Sequence, residues 1–201
     1  WEDERLELIH GSLMAGKKVS IKLPRLETVV GDLRTHVLRR CRVDAPNLRQ
    51  IGGNMHVGSK LPPRLEIIGG SLHIHHLRAV SLKTLEFIGG TLEIIGSRGV
   101  RADALESVGG DLRLLPSNLF FHAPKLREVG GSMIAPETIV IIAPDLLRIG
   151  GDADTRRAHQ FHSRKLRVGG TWHAHPAVTT HMAACARACE IIGTPKDEIA
   201  L

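Results

Sequence analysis

The chain has 201 residues, 42% apolar and 24% charged, with a formal charge of +6 at pH 7; this balance suits one folded unit with a sizeable core and excludes an intrinsically disordered chain. Apolar runs such as Ile139 to Pro144 are far too short for a bilayer-crossing helix, so no membrane span is expected. Aromatic residues at 3%, with no Tyr, leave little on which to stack single-stranded nucleic acid, while the positive charge favours encounter with acidic partners.

The opening WEDERLEL from Trp1 lacks the basic start and apolar stretch of a secretory signal, so the chain reads as a piece of something longer. From Leu6 onward a unit recurs, Leu-x-x-Ile/Val-Gly-Gly-x-Leu-x-Ile, seen as LEIIGGSLHI from Leu65, LEFIGGTLEI from Leu85 and LESVGGDLRL from Leu105. Its second glycine falls at Gly11, Gly31, Gly53, Gly70, Gly90, Gly110, Gly131, Gly151 and Gly170, giving spacings of 20, 22, 17, 20, 20, 21, 20 and 19 residues. A period near twenty belongs to solenoids, in which one unit cannot bury its apolar face without its neighbours.

The preceding position is His10 and Val30 in the first two units and Gly thereafter, from Gly52 to Gly169. Corners stacked in a column leave little room for a Cβ, and glycine also permits a positive φ, so the doublet predicts a tight turn into a strand. It is not a phosphate loop: it lacks the spacing of one, and a ligand loop is needed once rather than nine times. After the corner, alternation places Leu33, Leu72, Leu92, Leu112 and then Ile74, Ile94, Leu114 inside. The opening leucines, from Leu26 to Leu146, and the Ile or Val three residues on supply the opposite wall, so about four large side chains per unit are expected in the core. Prolines ahead of the next leucine, as at Pro24, Pro46, Pro63, Pro124 and Pro144, predict turns or extended chain on the outer side.

The pattern loses regularity after Gly151: Ala153 stands for Leu, residues 155–165 are polar and basic, and the unit LRVGGTWHAH is a residue short. Pro176, Val178, Met182, Cys185, Cys189, Ile192 and Gly193 then predict a closing helix over 177–193. The fold class is therefore mainly β: a solenoid of about nine units over 1–176 with one short parallel strand each, and a capping helix and tail over 177–201.

The phrase LExIGGxLxI resembles the receptor L domain, the leucine-rich-repeat-like solenoid of insulin- and growth-factor-receptor ectodomains, and also bacterial leucine-rich-repeat proteins, some of them effectors delivered into host cells. The resemblance covers residues 6 to 175 and implies a right-handed solenoid with a protein-binding surface and no catalytic residues. The receptor cysteine modules, the glycosylation acceptors and an asparagine ladder are not written here. Cys41, Cys185 and Cys189 make neither an even disulfide set nor a paired zinc motif. A reducing address follows, cytoplasmic or inside a host cell, rather than an extracellular one.

Residues alternating with the inward leucines face out. One row reads Met14, Arg34, His56, His73, Glu93, Arg113, Ile134, Asp154, His173, and the next Gly16, His36, Gly58, His75, Ile95, Leu115, Pro136, Arg156, His175. Imidazoles at such spacing suit a transition metal, or a surface that gains charge below neutral pH, but a solvated polar face is the plainer reading and no metal or cofactor is expected. His181, Cys185 and Cys189 at helical spacing read as cap packing rather than ligands. Cys41 has no placed base, and no GxSxG or other catalytic signature occurs. Ile95, Leu115, Ile134 and Pro136, bordered by Glu93 and Arg113, predict an exposed apolar patch. The expected partner-binding set is Arg34, His56, His73, His75, Glu93, Ile95, Arg113, Leu115, Ile134 and Arg156. The expected function is non-enzymatic recognition of a protein, one with an acidic surface. The alternatives are the substrate-recognition part of a larger enzyme or secreted effector, and a nucleic-acid scaffold.

Overall fold

The computed structural model describes residues 2–16, 19–35, 42–58, 61–75, 77–116, 118–176, 178 and 191–192. Within them the chain winds as a parallel β-solenoid of about 8 turns. The single strand per unit expected from the repeat is one of up to three. Two-residue strands before each corner, from Leu8–Ile9 to Arg167–Val168, stack in coil order as a nine-stranded sheet. Strands after the corner, from Leu13–Ala15 to Trp172–Ala174, form a second, broader ribbon. A third face is built from Ser20–Lys22 and Arg42–Asp44 as one pair and from Ala79–Ser81, Gly99–Arg101, Phe120–His122, Val140–Ile142 and Gln160–His162 as a five-stranded sheet.

The glycine doublets hold the register. Each second glycine donates its N–H to the carbonyl of the one below, from Gly31 to Gly11 at 3.0 Å up to Gly170 to Gly151 at 3.0 Å, without a missing rung. A Cβ on Gly89, Gly109, Gly130, Gly150 or Gly169 would overlap the carbonyl oxygen of the preceding first glycine. Close approach of stacked backbones is thus the reason for the doublet. The other expected reason, a left-handed turn, is not used: the positive-φ glycine of the described residues is Gly96, at 74°, outside the doublets.

A second ladder runs beside the glycines. The residue after each corner glycine is Ser12, Asp32, Asn54, Ser71, Thr91, Asp111, Ser132 or Asp152, and its side-chain oxygen accepts the backbone N–H of its counterpart one coil on, ending at Thr171 N–H. The rungs include Asn54 N to Asp32 Oδ1 at 2.7 Å, Ser71 N to Asn54 Oδ1 at 2.8 Å and Thr171 N to Asp152 Oδ1 at 2.8 Å. The asparagine ladder absent from the sequence therefore has a mixed Ser/Thr/Asp/Asn counterpart, since each of these side chains supplies an acceptor of suitable reach.

In the coils beginning at Leu65, Leu85, Leu105 and Leu126 the core has six buried interior positions rather than four. In the coil beginning at Leu85 they are Leu85, Ile88, Leu92, Ile94, Val100 and Ala102, all buried. The extra pair comes from the third face, where one large residue (Ile21, Val80, Val100, Phe121, Ile141) alternates with Leu or Ala ahead of the last corner. That corner is a turn, closed by Leu48 N–H on Ala45 O at 3.2 Å and Leu126 N–H on Ala123 O at 3.2 Å. Pro46 and Pro124 occupy the second turn position, where a fixed φ near −65° and a missing donor cost nothing.

The stack also continues through the span expected to be irregular. Gln160–His162 joins the third sheet with Phe161 buried, and Trp172 pairs in register with the small Ala153. The indole fills that volume, sits edge-on to Phe161 at 5.5 Å and donates Nε1–H to Thr155 Oγ1 at 2.9 Å. Of the closing helix expected over 177–193, Val178 is helical, as is Pro176 just before it, and apart from Ile191–Ile192 the rest lies outside the described residues. Ile191–Ile192 depart from the expectation: they are extended and pair in parallel with Trp172–His173, because the end of a β stack offers unpaired backbone groups.

Candidate functional site

The ribbon after the glycine corner displays the predicted rows. Cross-strand register aligns Arg34 with His56, His56 with His73, His73 with Glu93, Glu93 with Arg113, Arg113 with Ile134 and Ile134 with Asp154. His75, Ile95 and Leu115 line up in the adjoining row. Arg156 stands on the turn following Ala153–Thr155. Nine of the ten predicted residues therefore share one face, and the alternation that buries their neighbours is the cause; Arg156 is tied to that face through its bonds to Asp154.

Side chains in the long row are organised by one another. The imidazoles of His56 and His73 stack with centroids 4.5 Å apart and planes inclined by 12°. His73 Nδ1 lies 3.2 Å from Glu93 Oε1, a pairing that needs the proton on Nδ1. The other oxygen of Glu93 is 3.7 Å from Arg113 Nη1, so one carboxylate sits between a ring and a guanidinium. Arg113 Nε is buried with no hydrogen-bond partner, and the rest of its guanidinium remains partly exposed. Arg34 donates to Asp32 Oδ2 at 2.8 Å, while Arg156 grips both oxygens of Asp154 at 2.9 and 2.8 Å.

These contacts set the titration. Burial, then repulsion from His73 and Arg34, pushes His56 below the ordinary imidazole value, with Asp32 opposing. The backbone N–H of Asn54, and then Arg34, hold the Asp32 carboxyl below the usual carboxylate range.

The apolar patch is less open than expected. Ile95, Leu115, Ile134 and Pro136 are each half-buried, because side chains one coil apart, about 4.8 Å, shield one another. The more exposed large apolar residues lie elsewhere, among them Met14, Val30, Leu147, Leu119 and the neighbours Ile67 and Phe87 on the two-residue strands. The repeat hides these last two, since their column also holds Thr28, Gln50, Glu128 and Arg148. Among the described residues no three His, Cys, Asp or Glu side chains converge as metal ligands. His36, His76, Cys41 and the set His181, Cys185 and Cys189 lie outside the described residues. No described helix is long and apolar enough to cross a membrane.

Comparison with protein-family models, with curated proteins and with solved structures found no match.

Proposed function

We propose that this chain is a non-enzymatic recognition module that holds a protein partner against the ribbon face. The observation that carries this reading is the row from Arg34 to Ile134, in which a stacked histidine pair, a shared carboxylate and a half-exposed guanidinium are held beside Ile95 and Leu115. Side chains already ordered by their neighbours lose little freedom on binding, so more of the contact energy appears as affinity. Nine strands span roughly 40 Å, enough for a partner of ordinary interface size. The formal charge of +6 and the cations Arg34, Arg113 and Arg156 favour an acidic partner surface.

The likeness of the repeat to leucine-rich-repeat-like receptor domains and bacterial leucine-rich-repeat proteins points the same way, and the cysteine usage favours work in a reducing compartment. Affinity capture with the chain and with Leu115→Arg and Ile134→Arg, read by mass spectrometry, tests the assignment. A partner retained by the native chain and lost with both variants supports it, and one retained equally by all three rejects the face. Salt titration against duplex DNA and RNA checks the nucleic-acid alternative, which requires an affinity falling steeply with salt.

A further inference from the structure

The five-stranded sheet of the third face divides along the solenoid axis into two unlike halves. Val80, Val100, Phe121, Ile141 and Phe161 at the centres of its strands are buried, so the residues on either side of each point outward. Parallel register sets these in columns. One runs Ala79, Gly99, Phe120, Val140, Gln160 and another Ser81, Arg101, His122, Ile142, His162. A third, just ahead of the strands, is joined by Arg98 N–H on Arg78 O at 3.0 Å, Leu119 N–H on Arg98 O at 3.2 Å and Ile139 N–H on Leu119 O at 3.0 Å. The first two coils of this sheet combine the small residues Ala79, Ser81 and Gly99 with the exposed cations Arg78, Arg98 and Arg101. The next two bring Leu119, 46% exposed, together with the half-buried Phe120, Ile139, Val140 and Ile142. A low cationic shelf thus adjoins an apolar step.

Packing does not demand the glycine of the shelf. A Cβ on Gly99 would come no nearer than 3.9 Å to Phe120, an ordinary contact, unlike those of the corner doublets. Its absence keeps the shelf low beside the Phe120 ring. The cations there carry no carboxylate of their own. On the ribbon Arg34, Arg113 and Arg156 each lie beside one, whereas among the described residues none comes within ion-pair distance of Arg78, Arg98 or Arg101. Asp103, two residues past Arg101, lies 3.2 Å from His122 Nδ1, and Glu137 stands two residues ahead of Ile139, at the apolar end. Five strands about 4.8 Å apart, each of three residues at about 3.3 Å, make a face of roughly 20 by 10 Å. That is far below the roughly 800 Å² per partner of an ordinary protein interface, and it suits a short segment. Apart from Leu119 the apolar side chains are half-buried, whereas anchoring in a bilayer sinks an apolar face about 5–10 Å deep.

We propose that this face binds a short segment of a partner protein in which a run of carboxylates adjoins a run of aliphatic or aromatic side chains. The apolar run covers Leu119, Phe120, Ile139, Val140 and Ile142, and the carboxylates lie over Gly99 within reach of Arg98 and Arg101. Apolar contact gives most of the affinity, and the unlike halves fix the direction in which the segment lies. The site is on a different face from the ribbon and stands whether or not the ribbon binds a partner.

The test uses the full chain and three blocked octapeptides: a run of glutamates followed by a run of leucine and valine, the same residues with the glutamates interspersed, and the first peptide with lysine in place of glutamate. Binding is read by calorimetry and by backbone amide shifts. The first peptide is expected to bind saturably and shift Gly99, Phe120 and Val140. Interspersing the residues or exchanging in lysine should each weaken it about tenfold or more, the scale of two buried methylenes or a reversed charge contact. Arg101→Glu and Gly99→Val should each weaken it by a similar factor, whereas Arg127→Glu, the same change of charge just ahead of Glu128–Val129, should leave it unchanged. Absence of saturable binding at millimolar peptide, equal affinity for the interspersed or lysine peptide, or shifts confined to another face would overturn the assignment. So would binding to phosphatidylserine vesicles, or concentration-dependent self-association, that the first peptide fails to displace. The peptide comparisons on the native chain decide the matter even if a variant does not fold.

Discussion

Gly109→Ala tests the stacking directly. An added Cβ would overlap Gly89 O, with Gly89 C at 3.0 Å and Gly89 Cα at 3.5 Å, so the obstruction is backbone and no side chain can swing away. Two rungs meet there, Gly109 N–H to Ile88 O at 2.8 Å and Gly110 N–H to Gly90 O at 2.9 Å. Loosening them costs about 0.5–1.5 kcal/mol each, and forcing a methyl into a filled site costs about 1–3 kcal/mol. Reduced freedom of the unfolded chain returns about 0.4–1 kcal/mol. The net is a destabilisation of about 3 kcal/mol, or roughly 6–12 °C in Tm for a chain of this size. Gly11→Ala is the matched control, because nothing lies within 4 Å of its Cβ position; it should be neutral or slightly stabilising. Thermal unfolding by far-ultraviolet circular dichroism compares the two. If both variants melt together, the corner is not sterically closed and the explanation of the doublets is wrong.

Asp111 accepts Ser132 N–H at 2.8 Å, so Asp111→Ala should cost about 1–2 kcal/mol in urea unfolding while Asp111→Asn, which keeps an acceptor, costs less. Trp172→Ala removes the indole packed on Phe161 and bonded to Thr155; a loss of about 3–5 kcal/mol is expected by the same assay, with Trp172→Phe recovering part of it. His56 has its pKa lowered by folding, so above about pH 7 it is neutral in both states and has no effect. As pH falls through about 6.5 the unfolded chain takes up the proton first, and stability declines until the folded value is passed, after which the loss is constant. His56→Gln should flatten the fall in Tm across that window, and an unchanged profile would remove His56 as its source.

How much could be read in advance depended on whether a feature repeats in identity or only in geometry. Gly89–Gly90, Leu92 and Ile94 repeat as residue types, because stacked corners and interlocked leucines tolerate few substitutes. The ladder from Ser12 to Thr171 repeats only as an acceptor, so four residue types conceal it. The third wall, Val80, Val100, Phe121 and Ile141, has a legible mark in hindsight: a large residue two positions ahead of a Leu or Ala that opens the corner turn. Variable lengths at the second corner break its register along the chain and kept it hidden.

Sequence alone determined the period, the two legible walls of the core and the rows of the ribbon, because a two-residue alternation placed at a fixed distance from the glycine corner decides which side chains face inward. Tertiary structure decided what those rows become. Glu93 standing between His73 and Arg113, the buried setting of His56 and the half-shielding of Ile95 and Leu115 all arise across a spacing of about 4.8 Å between strands. The residues that meet there lie some twenty positions apart in the chain, where no local pattern records their contact.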